Sequence, residues 1–248
     1  MNYGGGGLIE TSGETWAVTH VVSKICGNVA GPIVFDVGAN VGDYSLLVRS
    51  ALPNATIFAF EPSAAVYEQL QSSVGRHDAS DRIKTFNLGF SDTRKTALLH
   101  SYTADGNAAP VLASIDLRLP TQVVEVALAS SEEIEVTSID YFCEAHDIRR
   151  IDFLKLDVEG HELAILNGAR RMLGDDSISI IQFEFGPANI YSRTYFYDFW
   201  SMVSEGFDIF RVIPKGIVPI RYYGEHREIF LTTNYLAIRK ALTKPLDL

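Results

Sequence analysis

Short runs of β-branched and aromatic residues alternate along the chain with stretches in which apolar residues recur at helical spacing. Each run is apolar over nearly its whole length, a pattern typical of strands buried on both faces of a parallel sheet. The runs cover residues 33–37, 56–61, 83–88, 151–157 and 178–185, and the helical patterns cover about 42–51, 62–75, 138–147 and 160–173. This alternation predicts an α/β fold with a mostly parallel sheet and helices on both faces.

Two segments depart from the alternation. Residues 90–137 predict a small antiparallel β insertion with a polar loop at about 102–121, and the C-terminal tail predicts late strands joined by turns. Before the sheet, residues 14–29 carry an apolar stripe at helical spacing, which is typical of packing. We therefore divide the chain into an N-terminal tail and helix, residues 1–30, and a single domain, residues 31–248.

Composition and charge narrow the classes of partner. The 248 residues suit one α/β domain, and the formal net charge of −10 repels phosphate backbones, so we expect no nucleic acid partner. No apolar stretch approaches the roughly 20 residues of a membrane span, and the start of the chain has no signal-peptide pattern. We expect a cytoplasmic protein in which Cys26 and Cys143 are free thiols. The sequence does not indicate an oligomeric state.

A glycine-containing turn follows the first predicted strand, in the stretch VFDVGANVGDYS at 34–45. Gly38 and Gly42 would let the chain bend and let a ligand approach the backbone at the carboxyl end of the sheet. A dinucleotide fingerprint would have glycine at 38, 40 and 43, but this chain has Asn40 and Asp43. An acid at the start of a helix also disfavours a phosphate. The turn therefore favours a ligand with a positive centre and no phosphate.

The second predicted strand ends in an acid that suits a ribose. Glu61 follows Asp36 by 25 residues, near the position at which α/β nucleotide folds hold a ribose diol. A carboxylate can accept hydrogen bonds from two hydroxyls at once. A nucleoside without phosphate that carries a cation describes S-adenosylmethionine (SAM).

Three motifs, in order, carry a family resemblance. With DVGANVGDYS, then FEPS, then VTSIDYFCEAHDIRRIDFLKLDVEGHELAILNGA, the chain resembles the FkbM family of SAM-dependent methyltransferases over about residues 31–186. The resemblance implies a Rossmann-like, seven-stranded class I methyltransferase fold and methyl transfer, typically to a hydroxyl of a sugar or secondary metabolite. It also implies a cofactor site in which Asp36, Gly38 and Asn40 line the methionine end, Glu61 holds the ribose, and Ser91 and Asp92 lie near the adenine.

A cluster of charged residues follows the fourth and fifth strands and supplies the candidate catalytic groups. Methyl transfer to a hydroxyl needs a group that removes the hydroxyl proton. The candidates are Lys155, Asp157, Glu159, His161 and Glu184. Four of them also have another interpretation: Asp157 could cap the next helix or bind the SAM amino group, and Glu159 could stabilise the helix dipole. Lys155 could form an ion pair with these acids, and Glu184 could hydrogen-bond the sheet edge.

A divalent metal is an alternative source of the same chemistry. Asp157, Glu159 and Glu184 are oxygen donors that suit Mg²⁺ or Ca²⁺, and such an ion would acidify an acceptor hydroxyl. Nothing in their spacing requires a metal, so catalysis without one is preferred.

The sequence thus predicts a SAM-dependent O-methyltransferase that acts on a sugar or another small hydroxylated metabolite. One rival is a nicotinamide-dependent oxidoreductase, against which the missing third glycine counts. The other rival is a SAM- or nucleoside-binding module without catalysis, for which the acid cluster would have no evident use.

Overall fold

A computed structural model describes residues 9–103, 112–116 and 127–244, so the N-terminal glycines and most of the predicted polar loop lie outside the described residues. The strands are β1 Ile33–Val37, β2 Thr56–Phe60, β3 Ile83–Phe86, β4 Gly89–Phe90, β5 Lys95–Thr103, β6 Leu112–Ser114, β7 Ala127–Thr137, β8 Ile151–Leu156, β9 Ile178–Phe185, β10 Phe207–Ile213, β11 Gly216–Ile220 and β12 Thr233–Arg239. The α-helices are α1 Ile9–Ser12, α2 Glu14–Trp16, α3 Ser23–Cys26, α4 Asp43–Ala51, α5 Ala64–Arg76, α6 Ile139–Ala145, α7 Glu162–Asn167, α8 Arg170–Gly174, α9 Ala188–Ser192, α10 Phe196–Val203 and α11 Lys240–Thr243. A π-helical turn, Ala17–Val22, joins α2 to α3, and a 3₁₀ turn lies at Glu225–Arg227.

The main sheet has the order β11-β10-β12-β9-β8-β1-β2-β3. The pairs β1·β2, β1·β8, β2·β3 and β8·β9 are parallel, while β10, β11 and β12 join antiparallel at the other edge. This arrangement confirms the Rossmann-like fold that the resemblance implies. The sheet has eight strands among the described residues rather than seven, because β11 pairs with β10 as an added edge hairpin.

The strands read as continuous apolar runs because helices cover both faces of the sheet. All six residues of β8 are buried. Successive residues of β1 point to opposite faces: Val34 packs in one core with Phe153, and Phe35 packs in the other core with Leu154. Two hydrophobic cores therefore hold the sheet rigidly between them, and its carboxyl edge is a stable platform for a site.

The N-terminal helical segment packs onto the same sheet. Ala17, Val18, Val21 and Val22 are buried in the core that contains Val34, so the apolar stripe serves packing as predicted. A break at Gly13, which has φ 94°, separates α1 from α2. A Cβ at that position would lie 2.2 Å from the carbonyl oxygen of Ile213, which leaves room for glycine alone.

The predicted β insertion forms a second sheet of order β4-β7-β5-β6. Its long pair, β5 with β7, is antiparallel as predicted. The segment predicted as a polar loop contains the short strand β6, because its backbone pairs with β5 from His100 to Tyr102. The predicted helix at 160–173 is divided into α7 and α8 near Gly168, where a Cβ would lie 2.3 Å from the carbonyl oxygen of Ser91.

Cys26 and Cys143 are both buried free thiols. None of the helices in the described ranges is long and apolar enough to cross a membrane.

Candidate active site

A cavity of about 320 Å³ lies at the carboxyl ends of β1, β2, β8 and β9. The wall contains apolar residues of the second sheet and of the segment that leads into it. It also contains polar residues that follow the parallel strands. The predicted site residues on this wall are Gly38, Asn40, Glu61, Asp157, Glu159, His161 and Glu184. The sheet topology thus brings together side chains separated by as many as 146 positions in the chain (184 − 38).

A second cavity of about 200 Å³ adjoins the first. The two share Gly38, Asn40, Asp157 and Glu184 as lining residues. The second cavity is also lined by Lys155 and by Glu14 of the N-terminal helical segment. The two cavities therefore adjoin at the Gly38 turn and at the ends of β8 and β9.

The Gly38 turn leaves no room for a side chain. Gly38 has φ 82°, and a Cβ there would lie 1.9 Å from the carbonyl oxygen of Asp157. The Asp157 N–H in turn donates to the Val37 carbonyl at 3.1 Å. The bare backbone after β1 therefore lets the ends of β1 and β8 touch, so the ligand-facing loops of both strands start from one fixed point.

Two backbone N–H groups hold the carboxylate of Glu61 at the carboxyl end of β2. One carboxylate oxygen accepts from the Asn40 N–H at 3.0 Å and the other from the Ser63 N–H at 2.9 Å. Each oxygen can accept a further hydrogen bond. Burial raises the pKa of Glu61 to about 7. A fixed, buried carboxyl with free acceptor capacity suits a pair of hydroxyls.

Four of the predicted cofactor residues do not line the first cavity: Asp36, Gly42, Ser91 and Asp92. Asp36 is fully buried and accepts from the Ser45 hydroxyl at 2.7 Å, while its Oδ1 has no hydrogen-bond partner within the described part of the chain. Burial raises the pKa of Asp36. Gly42, with φ 96°, caps α4, and a Cβ there would lie 2.8 Å from the Leu70 side chain. Asp36 and Gly42 therefore support the turn rather than face the first cavity.

Lys155 and Asp157 form a partly buried ion pair. The ammonium nitrogen of Lys155 lies 2.9 Å from Oδ2 of Asp157 and 4.4 Å from the ring centroid of Tyr44. The strand β8 ends at Leu156, so Asp157 already belongs to the loop. Lys155 faces the second cavity and not the first.

The loop after β8 is held from within by Glu162, a residue the sequence did not single out. Its carboxylate accepts from the N–H groups of Val158 and Gly160 at 3.0 and 3.1 Å. Burial raises the pKa of Glu162 to about 8. Glu159, at the tip of this loop, adopts a left-handed conformation with φ 56°. In the sequence, Glu162 looks like any acid in the first turn of a helix.

His161 occupies the N-cap position of α7, and its side chain bonds through both ring nitrogens. Nδ1 lies 3.1 Å from Oδ2 of Asp116, and Nε2 lies 3.0 Å from the Ser91 hydroxyl. Ser91 also donates to Asp92 at 2.9 Å. The hydrogen bond with Lys95 is the main reason that the pKa of Asp92 falls to about 2. Ser91 and Asp92 therefore lie behind His161, and Asp116 is a neighbour that sequence spacing did not reveal.

Glu184 is the half-buried acid at the end of β9. Burial raises its pKa well above the ordinary value for a glutamate, and the charges of Asp157 and Glu159 raise it further. No hydrogen bond engages its carboxylate within residues 9–103, 112–116 and 127–244. The ionised form of a glutamate with a raised pKa is a stronger base than an exposed glutamate.

The predicted metal alternative lacks an assembled ligand set in the described ranges. No group of three or more His, Cys, Asp or Glu side chains is arranged there to hold a metal ion.

Known proteins resemble this chain in sequence and structure. The 31-O-demethyl-FK506 methyltransferase FkbM of Streptomyces tacrolimicus is 31% identical over 157 residues, 56% of this chain and 59% of the relative. The hexuronic acid methyltransferase AglP of Haloferax volcanii is 25% identical over 154 residues, 62% of this chain and 56% of the relative. A crystal structure of a methyltransferase FkbM from Methylobacillus flagellatus KT aligns with 87% of this chain and 47% of its own, at 17% identity and a TM-score of 0.47.

The chain spans less than two thirds of the length of these curated relatives. A family model, the methyltransferase FkbM domain, matches residues 36–212, from the first strand of the main sheet to β10. The match covers more than half of the chain and includes the end of β1 and all of β2, β3, β8 and β9, the strands of the parallel part of the sheet. This chain belongs to the methyltransferase FkbM domain family.

Proposed function

We propose that the protein is a SAM-dependent O-methyltransferase. The observation that carries the proposal is the shared wall of the two cavities, where the Gly38 turn lies beside Asp157 and Glu184. One cavity offers Glu61 for a ribose, and the other offers charged groups of both signs for an amino-acid end. Such an arrangement suits a nucleoside joined to an amino acid, as SAM is.

The residues fit SAM in a specific order. Glu61 would accept hydrogen bonds from the ribose diol. Leu88, Gly89 and Phe90 line the first cavity next to Glu61 and offer an apolar slot for the adenine, with Ser91 and Asp92 behind them. In the second cavity Lys155 and Glu14 would face the carboxylate and the ammonium of the methionine end. Asp36 stays within this assignment as a buried support of the turn.

Glu184 is the general base that we assign. SAM, when bound, supplies a methyl group on a positively charged sulfur, which is a good leaving group. The protein has to align the acceptor hydroxyl and accept its proton. Glu184 has a raised pKa, whereas Asp157 is paired with Lys155, and His161 has both ring nitrogens bonded. Glu159 lies on the same wall and would orient the acceptor.

The acceptor that we propose is a sugar or another small hydroxylated metabolite. Two relatives carry names that support an oxygen acceptor or a sugar acid, namely the 31-O-demethyl-FK506 methyltransferase and the hexuronic acid methyltransferase. A bound Mg²⁺ or Ca²⁺ is the less favoured means of acidifying the hydroxyl, because Asp157, Glu159 and Glu184 form no three-ligand group in the described part of the chain.

Calorimetric titration of the purified chain with SAM, its demethylated product and NAD tests the proposal. We expect SAM and its product to bind and NAD to give no signal. Binding of NAD alone would overturn the assignment in favour of an oxidoreductase. Acceptor panels run with Mg²⁺ and with a chelator then test catalysis. Tight SAM binding without turnover on any hydroxylated acceptor would favour a binding module.

A further inference from the structure

Three segments that line the first cavity meet at one imidazole. Asp116, which follows β6, lies 3.1 Å from Nδ1 of His161, and Ser91, which follows β4, lies 3.0 Å from Nε2. The His161 side chain is 12% exposed and the Asp116 side chain 30% exposed, so these contacts are partly shielded from water. The ring therefore joins the loop after β8 to two separate parts of the second sheet.

The proton on Nδ1 can be assigned, and the arrangement at Nε2 depends on the charge of the ring. An ionised carboxylate only accepts, so Nδ1 must carry a proton toward Asp116. Ser91 has one hydroxyl proton, and it lies within reach of both Nε2 and the Asp92 carboxylate. Neutral His161 accepts that proton at Nε2, whereas charged His161 donates to Ser91, which then donates to Asp92. Both states keep the bond to Asp116, so Asp116 fixes the ring in either one.

A second bond ties the same segment to the same loop. The Ser114 hydroxyl donates to the carbonyl oxygen of Glu159 at 2.8 Å, and the Asp116 N–H donates back to that hydroxyl at 3.2 Å. Ala113 and Ile115, between and beside these residues, line the cavity. Ser114 and Asp116 therefore hydrogen-bond to the loop after β8, while Ala113 and Ile115 line the cavity.

We propose that Asp116 is a positioning residue that acts through His161 to hold residues 113–116 as one wall of the SAM cavity, and that it thereby sets how long SAM stays bound. The inference rests on the proposed function, because it takes the first cavity as the SAM site. Without the Asp116 contact the wall would keep Ser114 as its remaining side-chain anchor to the loop among the described residues, and the cavity would open toward solvent. We expect this opening to change mainly the rate at which SAM dissociates, as affinity changes within one site usually do.

The test measures SAM dissociation by stopped-flow fluorescence in the wild type, Asp116→Ala, Asp116→Asn and Ser131→Ala. Ser131→Ala is the matched control, because it removes the 2.8 Å contact with His100 in the same sheet, and neither Ser131 nor His100 lines the cavity. We expect Asp116→Ala to speed dissociation by about tenfold, as loss of a charge-assisted hydrogen bond implies. Asp116→Asn keeps an acceptor and should speed it less, and Ser131→Ala should leave it unchanged.

Two further readouts separate positioning from general stability. Nitrogen NMR of the imidazole should show a protonated Nδ1 in the wild type and lose that signature in Asp116→Ala. In a double-mutant cycle, Asp116→Ala should add little to His161→Ala, since the two residues share one contact. Equal dissociation rates in Asp116→Ala and Ser131→Ala, with SAM bound by the wild type, would overturn the inference and leave the proposed function standing. No SAM binding by the wild type would overturn both.

Discussion

Lys155 and Asp157 meet across 2.9 Å at the junction of the two cavities, with the lysine side chain 4% exposed and the aspartate side chain 37% exposed. Burial by itself lowers the pKa of Lys155, but the carboxylates of Asp157, Asp36 and Glu14 outweigh burial and raise it. The lysine is therefore charged wherever the protein is folded at neutral pH. One buried cation offsets three carboxyl groups around the site.

Removing that cation should destabilise the protein strongly. Lys155→Met keeps most of the side-chain volume and leaves buried acids without a counter-charge, so we expect a loss of about 3–5 kcal/mol in the free energy of unfolding. Lys95→Met is the control, because the pair of Lys95 with Asp92 is about half exposed and is worth less than about 1 kcal/mol. Denaturant titration at pH 7 measures both. A loss in Lys155→Met no larger than in the control would contradict the assignment.

The affinity for SAM should rise with pH through the titration of Glu61. The pKa of this carboxyl is raised to about 7, and the charged form is the better acceptor for two hydroxyls. Protonation below pH 7 therefore competes with binding, and the dissociation constant should fall as pH rises from about 6 to about 8. Calorimetry across this range checks the direction.

The same titration in Glu61→Gln should give weaker and flatter binding. We expect a loss of about 1.5–3 kcal/mol at pH 8, typical of a hydrogen bond to a charged group. Glu68→Gln, an exposed change on α5, should leave both the affinity and its pH dependence as in the wild type. Unchanged affinity in Glu61→Gln would mean that the ribose lies elsewhere.

An alanine at position 38 should disrupt the turn on which both cavities depend. The new Cβ would lie 1.9 Å from the Asp157 carbonyl in a backbone with φ 82°, so the ends of β1 and β8 would have to move apart. We expect SAM binding to be lost and stability to fall by more than the about 1–2 kcal/mol of left-handed strain alone. Gly75→Ala is the matched control, since its Cβ meets nothing within 4 Å, and we expect it to stabilise α5 by about 0.4–1 kcal/mol. Comparable effects at the two positions would refute this account of the turn.

Glu184→Gln should impair turnover and spare binding. A glutamine has nearly the same shape and cannot take a proton, so we expect kcat to fall by about 10²–10⁴-fold with the SAM dissociation constant unchanged. In the wild type the rate should rise with pH through a value well above the ordinary pKa of a glutamate, because only the ionised form accepts the proton. Glu144→Gln, an exposed change in α6, serves as the control. Full activity in Glu184→Gln would transfer the role to Asp157 or Glu159.

The parallel part of the fold follows from local pattern, because buried strands and their helices have distinct periods of apolar residues. That is why β1, β2, β3, β8 and β9 lie where the pattern predicts them. The short strand β6 cannot be predicted from this pattern, since only backbone pairing with β5 defines it. The division between α7 and α8 escapes it too, because Gly168 is required by a carbonyl from a distant segment.

The residues of the candidate site likewise divide into those that can be predicted from the sequence and those that cannot. Glycines and acids that directly follow strands, such as Gly38, Glu61 and Glu184, can be found from their spacing because strand ends converge at one edge of a parallel sheet. Asp116 and Glu14 cannot, since each reaches the site from a segment outside that regular alternation. Burial, which gives Glu162 its role in the loop, is a property of the folded chain and leaves no mark on its neighbours in sequence.

Asn40 and Glu159 are two residues on the wall of the first cavity whose backbones are left-handed without being glycine, at φ 48° and 56°. Such conformations are costly for residues with a side chain, so the surrounding contacts must maintain them before any ligand arrives. The free energy needed to hold Asn40 and Glu159 in these conformations is thus supplied during folding. The encounter with a ligand then requires little ordering of these two loops, and preorganisation of this kind lets contact energy appear as affinity.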